Sequence, residues 1–280
     1  MANAKAFAPA HLTGFFKIYS DGSTGAGVNL DEGVTTRVTV RDGRWTNIFI
    51  NGKVVEAPAS LNVVKRFKKH LPENVKISVR HTSPLPFGYG LGLSGAAAYS
   101  LSLALNEVLE MDLTPRVCRM IAQEAEIKAG TGLGDVVAQQ YAGLMVGKKP
   151  YPSQHAMEIP IKEKYVVLGF FDEIETAEII RSPSWKKKIN EVGGKCMEEF
   201  LENKTAANFM HLSRYFTNQV GLANKRVREM LDIMPNTAQA MLGQTVFTIT
   251  DEPRTTKREF SRYTSRVRVC ELAEKGAHLI

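Results

Sequence analysis

The chain has 280 residues, a net charge of +7, and 44% hydrophobic against 23% charged residues. That is enough for one large or two ordinary domains with a sizeable core, in the composition of a soluble globular protein. The positive charge suits a polyanionic partner, a nucleotide or a nucleic acid; the lack of any long Lys/Arg run with interleaved aromatics sets nucleic acid aside.

Residues 3–9 read as a short strand that Pro9 ends, followed by HLTGFF (11–16). The glycine-rich DGSTGAG (21–27) fits neither period and reads as a loop. Val34, Val38 and Val40 begin a strand pattern, and Asp42-Gly43 and Asn51-Gly52 are hairpin turn signals, so the first fifty-odd residues are mainly β. Pro58 opens a helix on which Leu61, Val64, Phe67 and Lys68 have helical spacing, and Lys68, Lys69 and His70 suit its negative end. Val75 to Val79 alternates as a strand and leads into SPLPFGYGLGLSGAAAYSLSLAL (83–105), a stretch with no charged residue. It reads as a rigid turn, a loop of bare backbone and a buried helix. Thr114-Pro115 is an N-cap with proline at the first helical position, and Gly130 is the matching stop. Between them Cys118, Ile121, Ala122, Ala125 and Ala129 share one face. GTGLGD (130–135) is a second glycine turn, and Asp135 begins another helical run. Leu144–Val146 and Met157–Ile161 read as strands around a loop at Lys148–Pro152. YVVLGFF (165–171) is a continuous apolar run that predicts a central strand. Two or three amphipathic helices follow between Ser184 and Leu231, with late strands at Gln244–Ile249 and Arg266–Val269. The second half is richer in charge and helix, which places a soft boundary near residue 162.

The opening MANAKAFAPA has no apolar core of signal-peptide length. The uncharged stretch carries too many Gly, Pro and Ser residues before its helix, and that helix alone is too short to span a bilayer. Cys118, Cys196 and Cys270 lie far apart without metal spacing, which reads as reduced thiols in a cytosolic protein. The six histidines form no cluster and no HExxH occurs, so a zinc site is not expected.

The chemistry is expected at the central loop. Amide N–H groups of a bare loop, joined to the positive end of a helix dipole, make an anion site. Gly90-Leu91-Gly92-Leu93-Ser94-Gly95 satisfies GxGxxG, a weak signal shared by dinucleotide-binding folds and protein kinases. A dinucleotide fold needs a strand running straight into the glycines and an acidic residue about 20 positions on. Here His81 to Phe87, with two prolines, intervenes, and the later region is still helix. No HRD or DFG triplet occurs and no GxxxxGK[ST], which removes protein kinases and Walker loops.

PLPFGYGLGLSGAAA resembles the second motif of the GHMP kinases, in which a Pro-x-x-x-Gly-Leu-Gly-Ser-Ser-Ala-Ala loop wraps the ATP phosphates at a helix start. The match runs from Pro86 to Ala98. Leu93 replaces the first of the two serines, and Ser94 keeps the second. APAHLTGF (8–15) occupies the place of the first motif, with His11 where many members have lysine. NTAQAMLGQTVFTI (236–249) retains Gly243 and the strand after it but lacks the usual run of glycines of the third motif. Within the superfamily, PAHLTGFF, GSTGAG and AEIKAGTGLGDVVAQ together look most like the archaeal pantoate kinases. The resemblance implies an α+β two-domain fold: a ribosomal-protein-like β/α ATP-binding domain over 1–162 and a ferredoxin-like domain over 163–280. It implies ATP-dependent phosphorylation of a small-molecule hydroxyl, with pantoate as substrate, in the cytoplasm, with no nucleic-acid or membrane partner and with a homodimer plausible. A mevalonate, homoserine or shikimate type of kinase, or a nucleotide-binding regulator on the same fold, is the alternative.

By that resemblance ATP binds at Pro86, Gly88, Gly90, Leu91, Gly92, Leu93, Ser94, Gly95 and Ala96. Phosphoryl transfer from ATP needs a divalent cation, here Mg2+, which takes a carboxylate, a hydroxyl and phosphates. Ser94 is the hydroxyl; its plainer reading is an N-cap of the Ala-rich helix. Glu124 and Glu126 compete for the carboxylate. Glu126 lies about 80° from the centre of the apolar face and Glu124 about 120°, so Glu126 is preferred. Asp135 is an N-cap or first-turn acid in the plain reading; by the resemblance it is the catalytic residue that accepts or orients the hydroxyl proton. A substrate carboxylate calls for a cation or amide donors, and His11, Ser23 and Gly25 are the candidates by motif position. Lys148, Lys149 and Arg37 are further possibilities.

Overall fold

Two long strands dominate the first half. Small residues alternate into the core along Ala4, Ala6, Ala8 and Ala10 in β1 (Ala2–Ile18), and Val34 and Val38 do so in β2 (Ser23–Asp42). The computed structural model describes residues 2–43, 45–72, 74–153, 155–174 and 176–280. The chain continues through β3 (Asn47–Ile50), β4 (Lys53–Val54), α1 (Pro58–Lys68), β5 (Val75–Thr82), α2 (Leu93–Val108), α3 (Pro115–Ala129), α4 (Asp135–Ala138), β6 (Leu144–Lys149) and β7 (His155–Ile159). The second half comprises β8 (Tyr165–Asp172), α5 (Thr176–Arg181), α6 (Pro183–Glu202), α7 (Ala206–Val220), α8 (Lys225–Ile233), β9 (Ala238–Ala240), β10 (Gln244–Thr250), α9 (Pro253–Phe260), β11 (Val267–Glu271) and β12 (His278–Leu279).

The first sheet runs β12-β1-β2-β5-β3-β4, and β6 and β7 extend it from the N-terminal half of β2. The second runs β11-β8-β10-β9, wholly antiparallel, which is the strand order of a ferredoxin-like unit. The expected α+β architecture is therefore present. Helix α2 lies across β1 and β2 with α1 and α3 beside it. Its residues from Gly95 to Leu105 are all buried, which is why the sequence there carries no charge. β8 is buried on both faces: Val166, Leu168 and Phe170 join the main core, while Val167 and Phe171 join a second cluster with Val227, Met230, Leu231 and Phe260. That explains an apolar run without alternation.

Four expectations change. β1 does not end at Pro9 but continues to Ile18, because the register with β2 shifts between Pro9 and His11; a bulge accommodates a residue with no N–H to donate. Residues 23–27 are strand, not loop. They lie so close to β1 that a Cβ at Gly27 would strike the Leu12 carbonyl oxygen, so glycine is there for close approach. Asp42-Gly43 closes no hairpin, since β3 pairs with β5 and β4 rather than with β2. Lys148 and Lys149 end β6 instead of forming a loop. Asn51-Gly52 does join β3 to β4, and Thr114 caps α3 by accepting from the Val117 N–H, with Gly130 at φ 74° closing it.

Candidate active site

The ends of β1, β2 and β6, the glycine loop before α2 and the turn between α3 and α4 surround one cavity of about 290 Å³. The loop reaches α2 through Gly92, whose φ of 58° is the left-handed conformation in which glycine carries no Cβ penalty. No side chain caps α2 and no acidic residue lies in its first turn, so its leading N–H groups and positive end are open to an anion.

Ser94 is therefore not an N-cap. It sits one residue inside the helix and its Oγ donates to Glu126 Oε1 at 2.6 Å. Glu126 is 1% exposed. Its Oε1 also accepts from Thr131 Oγ1 at 2.8 Å, while its buried Oε2 has no partner among the described residues. Burial pushes the Glu126 carboxyl up to about 7, against the hydrogen bonds from Ser94 and Thr131. Glu124, in contrast, is exposed and accepts from the Tyr151 hydroxyl. The helical-angle argument for Glu126 thus agrees with where the two side chains lie.

Asp135 opens α4 and leans over the end of the glycine loop, where a Cβ on Gly92 would meet its Cγ at 3.2 Å. The same test on Gly132 meets Glu126 Oε2 at 2.5 Å and Asp135 Oδ2 at 3.5 Å. The two carboxylates flank one stretch of bare backbone, where any Cβ would press on Glu126 Oε2. Burial raises the Asp135 carboxyl, while the neighbouring His11 and a hydrogen bond with Thr13 oppose the rise. Gln139, one turn on and wholly buried, donates from Nε2 to the Gly92 carbonyl at 2.8 Å. It ties α4 to the start of α2.

Of the residues expected at the site, His11, Ser23, Gly25, Gly88, Gly90, Leu91, Gly92, Leu93, Ser94 and Asp135 line the cavity. Glu126 stands behind them through Ser94. Pro86, Gly95 and Ala96 do not line it: Ala96 is wholly buried, and Gly95 packs against Asp135 and Gln139. Arg37 and Lys148 are also outside the lining, whereas Lys149 belongs to it. Sequence reasoning missed Thr13, Thr131, Gly132 and Gln139. Thr131 had a signal, since it follows the helix-ending Gly130 and lies one turn beyond Glu126. Gln139 had none.

A search among characterised proteins finds the Methanocaldococcus jannaschii protein named pantoate kinase, 37% identical over 253 residues that cover 87% of this chain and 91% of that one. The chain belongs to the GHMP kinase family. The family model for the GHMP kinase N-terminal domain matches residues 59–143, which contain the glycine loop, Glu126 and Asp135. Among solved structures, one described as a phosphotransferase related to the CoA biosynthesis pathway superposes with a TM-score of 0.85 at 25% identity, covering 99% of this chain and 98% of that one. A mevalonate-3-kinase from Thermoplasma acidophilum, at 16% identity and a TM-score of 0.71 over 100% of this chain and 98% of its own, shares the fold. The stretch compared with the third GHMP motif touches the glycine loop: a Cβ on Gly243 would strike the Tyr89 carbonyl, and Thr245 Oγ1 donates to that carbonyl at 2.7 Å. The second sheet thus braces the glycine loop from behind.

Proposed function

We propose that the chain transfers the terminal phosphoryl group of ATP to a hydroxyl of a small molecule, with pantoate as the acceptor. The observation that carries the reading is the Ser94–Glu126 hydrogen bond at an uncapped helix start, with Asp135 across the Gly132 backbone. The likeness to proteins named pantoate kinase supports the choice of acceptor.

The donor set suits Mg2+. Glu126 Oε2 is buried without a partner among the described residues, and Ser94 supplies a hydroxyl. Among the described residues no group of three or more His, Cys, Asp or Glu could hold a metal by itself. That fits an ion taken with nucleotide phosphates rather than one in an all-protein cage. Bound Mg2+ would neutralise phosphate charge. The remaining work falls to this chain. The leading N–H groups of α2 hold the phosphates, and the Gly88–Gly92 backbone lets them approach. Asp135 receives the acceptor's hydroxyl proton at a carboxylate oxygen as that hydroxyl oxygen attacks phosphorus. Lys149, at the rim of the cavity, answers the substrate carboxylate, while Phe16, Val137, Met145 and Met241 offer apolar surface to the methyl groups. The same reading keeps residues 1–162 as the nucleotide-binding part and 163–280 as the ferredoxin-like part, with β12 returning to pair with β1.

Coupled ADP release over a panel of hydroxy acids tests this. Mg2+-dependent release with pantoate is expected. Release with mevalonate, homoserine or shikimate but not with pantoate would overturn the acceptor, and no release with any of them would overturn the kinase reading.

A further inference from the structure

Asn29 lies on β2, wholly buried between the site and α4. Its Nδ2 donates to the Ala138 carbonyl at 2.8 Å and to the Tyr141 carbonyl at 2.9 Å. Both amide hydrogens are used, so Oδ1 is the atom that meets His11 Nδ1, at 2.9 Å. An amide oxygen only accepts, and His11 Nδ1 therefore carries the proton. His11 is 4% exposed, lines the same cavity as Asp135, and its Nε2 has no hydrogen-bond partner among the described residues. Burial lowers the His11 pKa, and Asp135 on α4 is the charged group that opposes it; Asn29 at Nδ1 and Gly27 beside the Cε1–Nε2 edge are uncharged. The ring is neutral near pH 7 and Nε2 presents a bare lone pair.

We infer that His11 Nε2 accepts a hydrogen bond from the acceptor's second, non-reacting hydroxyl, and that Asn29 is the positioning residue that fixes this tautomer. The same Asn29 amide grips the carbonyls at the end of α4, so one side chain sets His11 and the helix bearing Asp135 in register. A lysine at position 11 would offer donors alone and favour an anionic group. Histidine in this tautomer selects a hydroxyl, which leaves the substrate carboxylate to Lys149. The inference rests on the kinase reading, and it adds that the preferred acceptor carries two hydroxyls, one for Asp135 and one for His11.

Three measurements test it. Nitrogen NMR of the labelled wild-type protein, with His11 assigned by the signal lost in His11→Phe, should show a protonated Nδ1 and an unprotonated Nε2 at pH 7; an Nε2–H tautomer or an imidazolium overturns the inference. An acceptor lacking the non-reacting hydroxyl should lose roughly 10–100-fold in kcat/KM on the wild-type enzyme. His11→Phe should lose a similar factor with the full acceptor and little more with the deoxy one; losses that multiply would show that the two groups do not meet. Asn29→Asp sets a carboxylate against Nδ1–H and favours the imidazolium, so the acid limb of the kcat/KM profile should move to higher pH. An unmoved limb in a folded Asn29→Asp protein counts against the tautomer role. If that variant does not fold, the wild-type NMR and the deoxy acceptor decide the question. The NMR reading needs no turnover. A protein with the expected tautomer and no ADP release on any hydroxyl acceptor would sink the kinase reading, and the hydroxyl role with it, while an active enzyme with the wrong tautomer would sink this inference alone.

Discussion

Replacing Glu126 by glutamine keeps the shape of the side chain and an oxygen for Ser94 and Thr131, but removes the buried acid. The carboxyl is raised from 4.5 to about 7. A group whose folded pKa exceeds its unfolded one stabilises below the unfolded value and loses that stabilisation as pH rises through the folded value. A shift of that size corresponds to about 3 kcal/mol, lost between pH 4.5 and pH 8. Glutamine has no such dependence. The stability difference between Glu126→Gln and wild type, each measured without nucleotide or divalent cation, should therefore rise in favour of the variant by about 3 kcal/mol from pH 4.5 to pH 8. Any constant cost of burying the amide cancels in that slope. For 280 residues the unfolding entropy near the midpoint is about 0.6 kcal/mol/K, so the relative Tm should move by about 5 °C. Urea or thermal unfolding at four or five pH values measures it. At pH 8, Mg2+ with ATP at about 100 times Kd should stabilise wild type by about 2.7 kcal/mol and the variant by clearly less. A difference that does not change with pH would refute the claim that Glu126 is a buried, unpaired acid in the free protein.

Asp135→Asn should lower kcat by roughly 10²–10⁴-fold, while ATP still raises Tm, as a thermal-shift assay can check; a variant with normal turnover removes Asp135 from proton transfer. Gly132→Ala sets a methyl against Glu126 Oε2 and Asp135 Oδ2, so activity should fall by more than tenfold with the native circular dichroism spectrum retained, and an active variant would mean that the turn is loose. Lys149→Met should raise KM for pantoate about tenfold or more with little change in KM for ATP; equal effects on both would place the lysine elsewhere. His81 is buried, donates from Nδ1 to Thr36 Oγ1, which passes the chain on to Ser100, and accepts at Nε2 from Ser60, and burial lowers its pKa from 6.5 to about 3. The neutral native ring gives stability that is complete above pH 6.5 and lost as pH falls toward 3, about 3 kcal/mol between pH 7 and pH 4.5. Glu126 has the opposite slope over much of that window. Acid destabilisation should therefore be steeper in Glu126→Gln than in wild type, and flatter in His81→Gln, by denaturant titration; equal slopes in all three would contradict both assignments.

How much was legible follows from what kind of contact decides each residue. The Pro86–Ala98 loop, Thr114 and Gly130 around α3, and the apolar run of β8 are local signals, written by turn geometry, capping and burial on both faces, and they survive in the structure with small changes in length. Glu126 is favoured over Glu124 by helical angle, since a buried stripe is a local periodicity, and by an Ala-Glu step before a glycine turn that resembles the GHMP pattern. The errors cluster where a distant strand overrides local chemistry. Pro9 and the glycines at 25 and 27 look like strand breakers until β1 and β2 are seen to run against each other with a shifted register. Asp42-Gly43 looks like a hairpin because the pairing of β3 with β5 is not local. Asn29 and Gln139 carry no sequence signal at all, because their partners, His11, Ala138 and Gly92, lie 18, 109 and 47 positions away.

The sequence by itself determined that a charge-free, glycine-rich loop runs into a buried helix, because bare amides and a helix start are local properties. Only the tertiary structure decided what surrounds that junction. It made Ser94 a donor to a buried carboxylate, set Asp135 across Gly132 from Glu126, and brought Asn29 against His11 Nδ1. Each of these depends on which atoms from separate strands and helices meet out of reach of water, where an unpaired oxygen or a misplaced proton costs most.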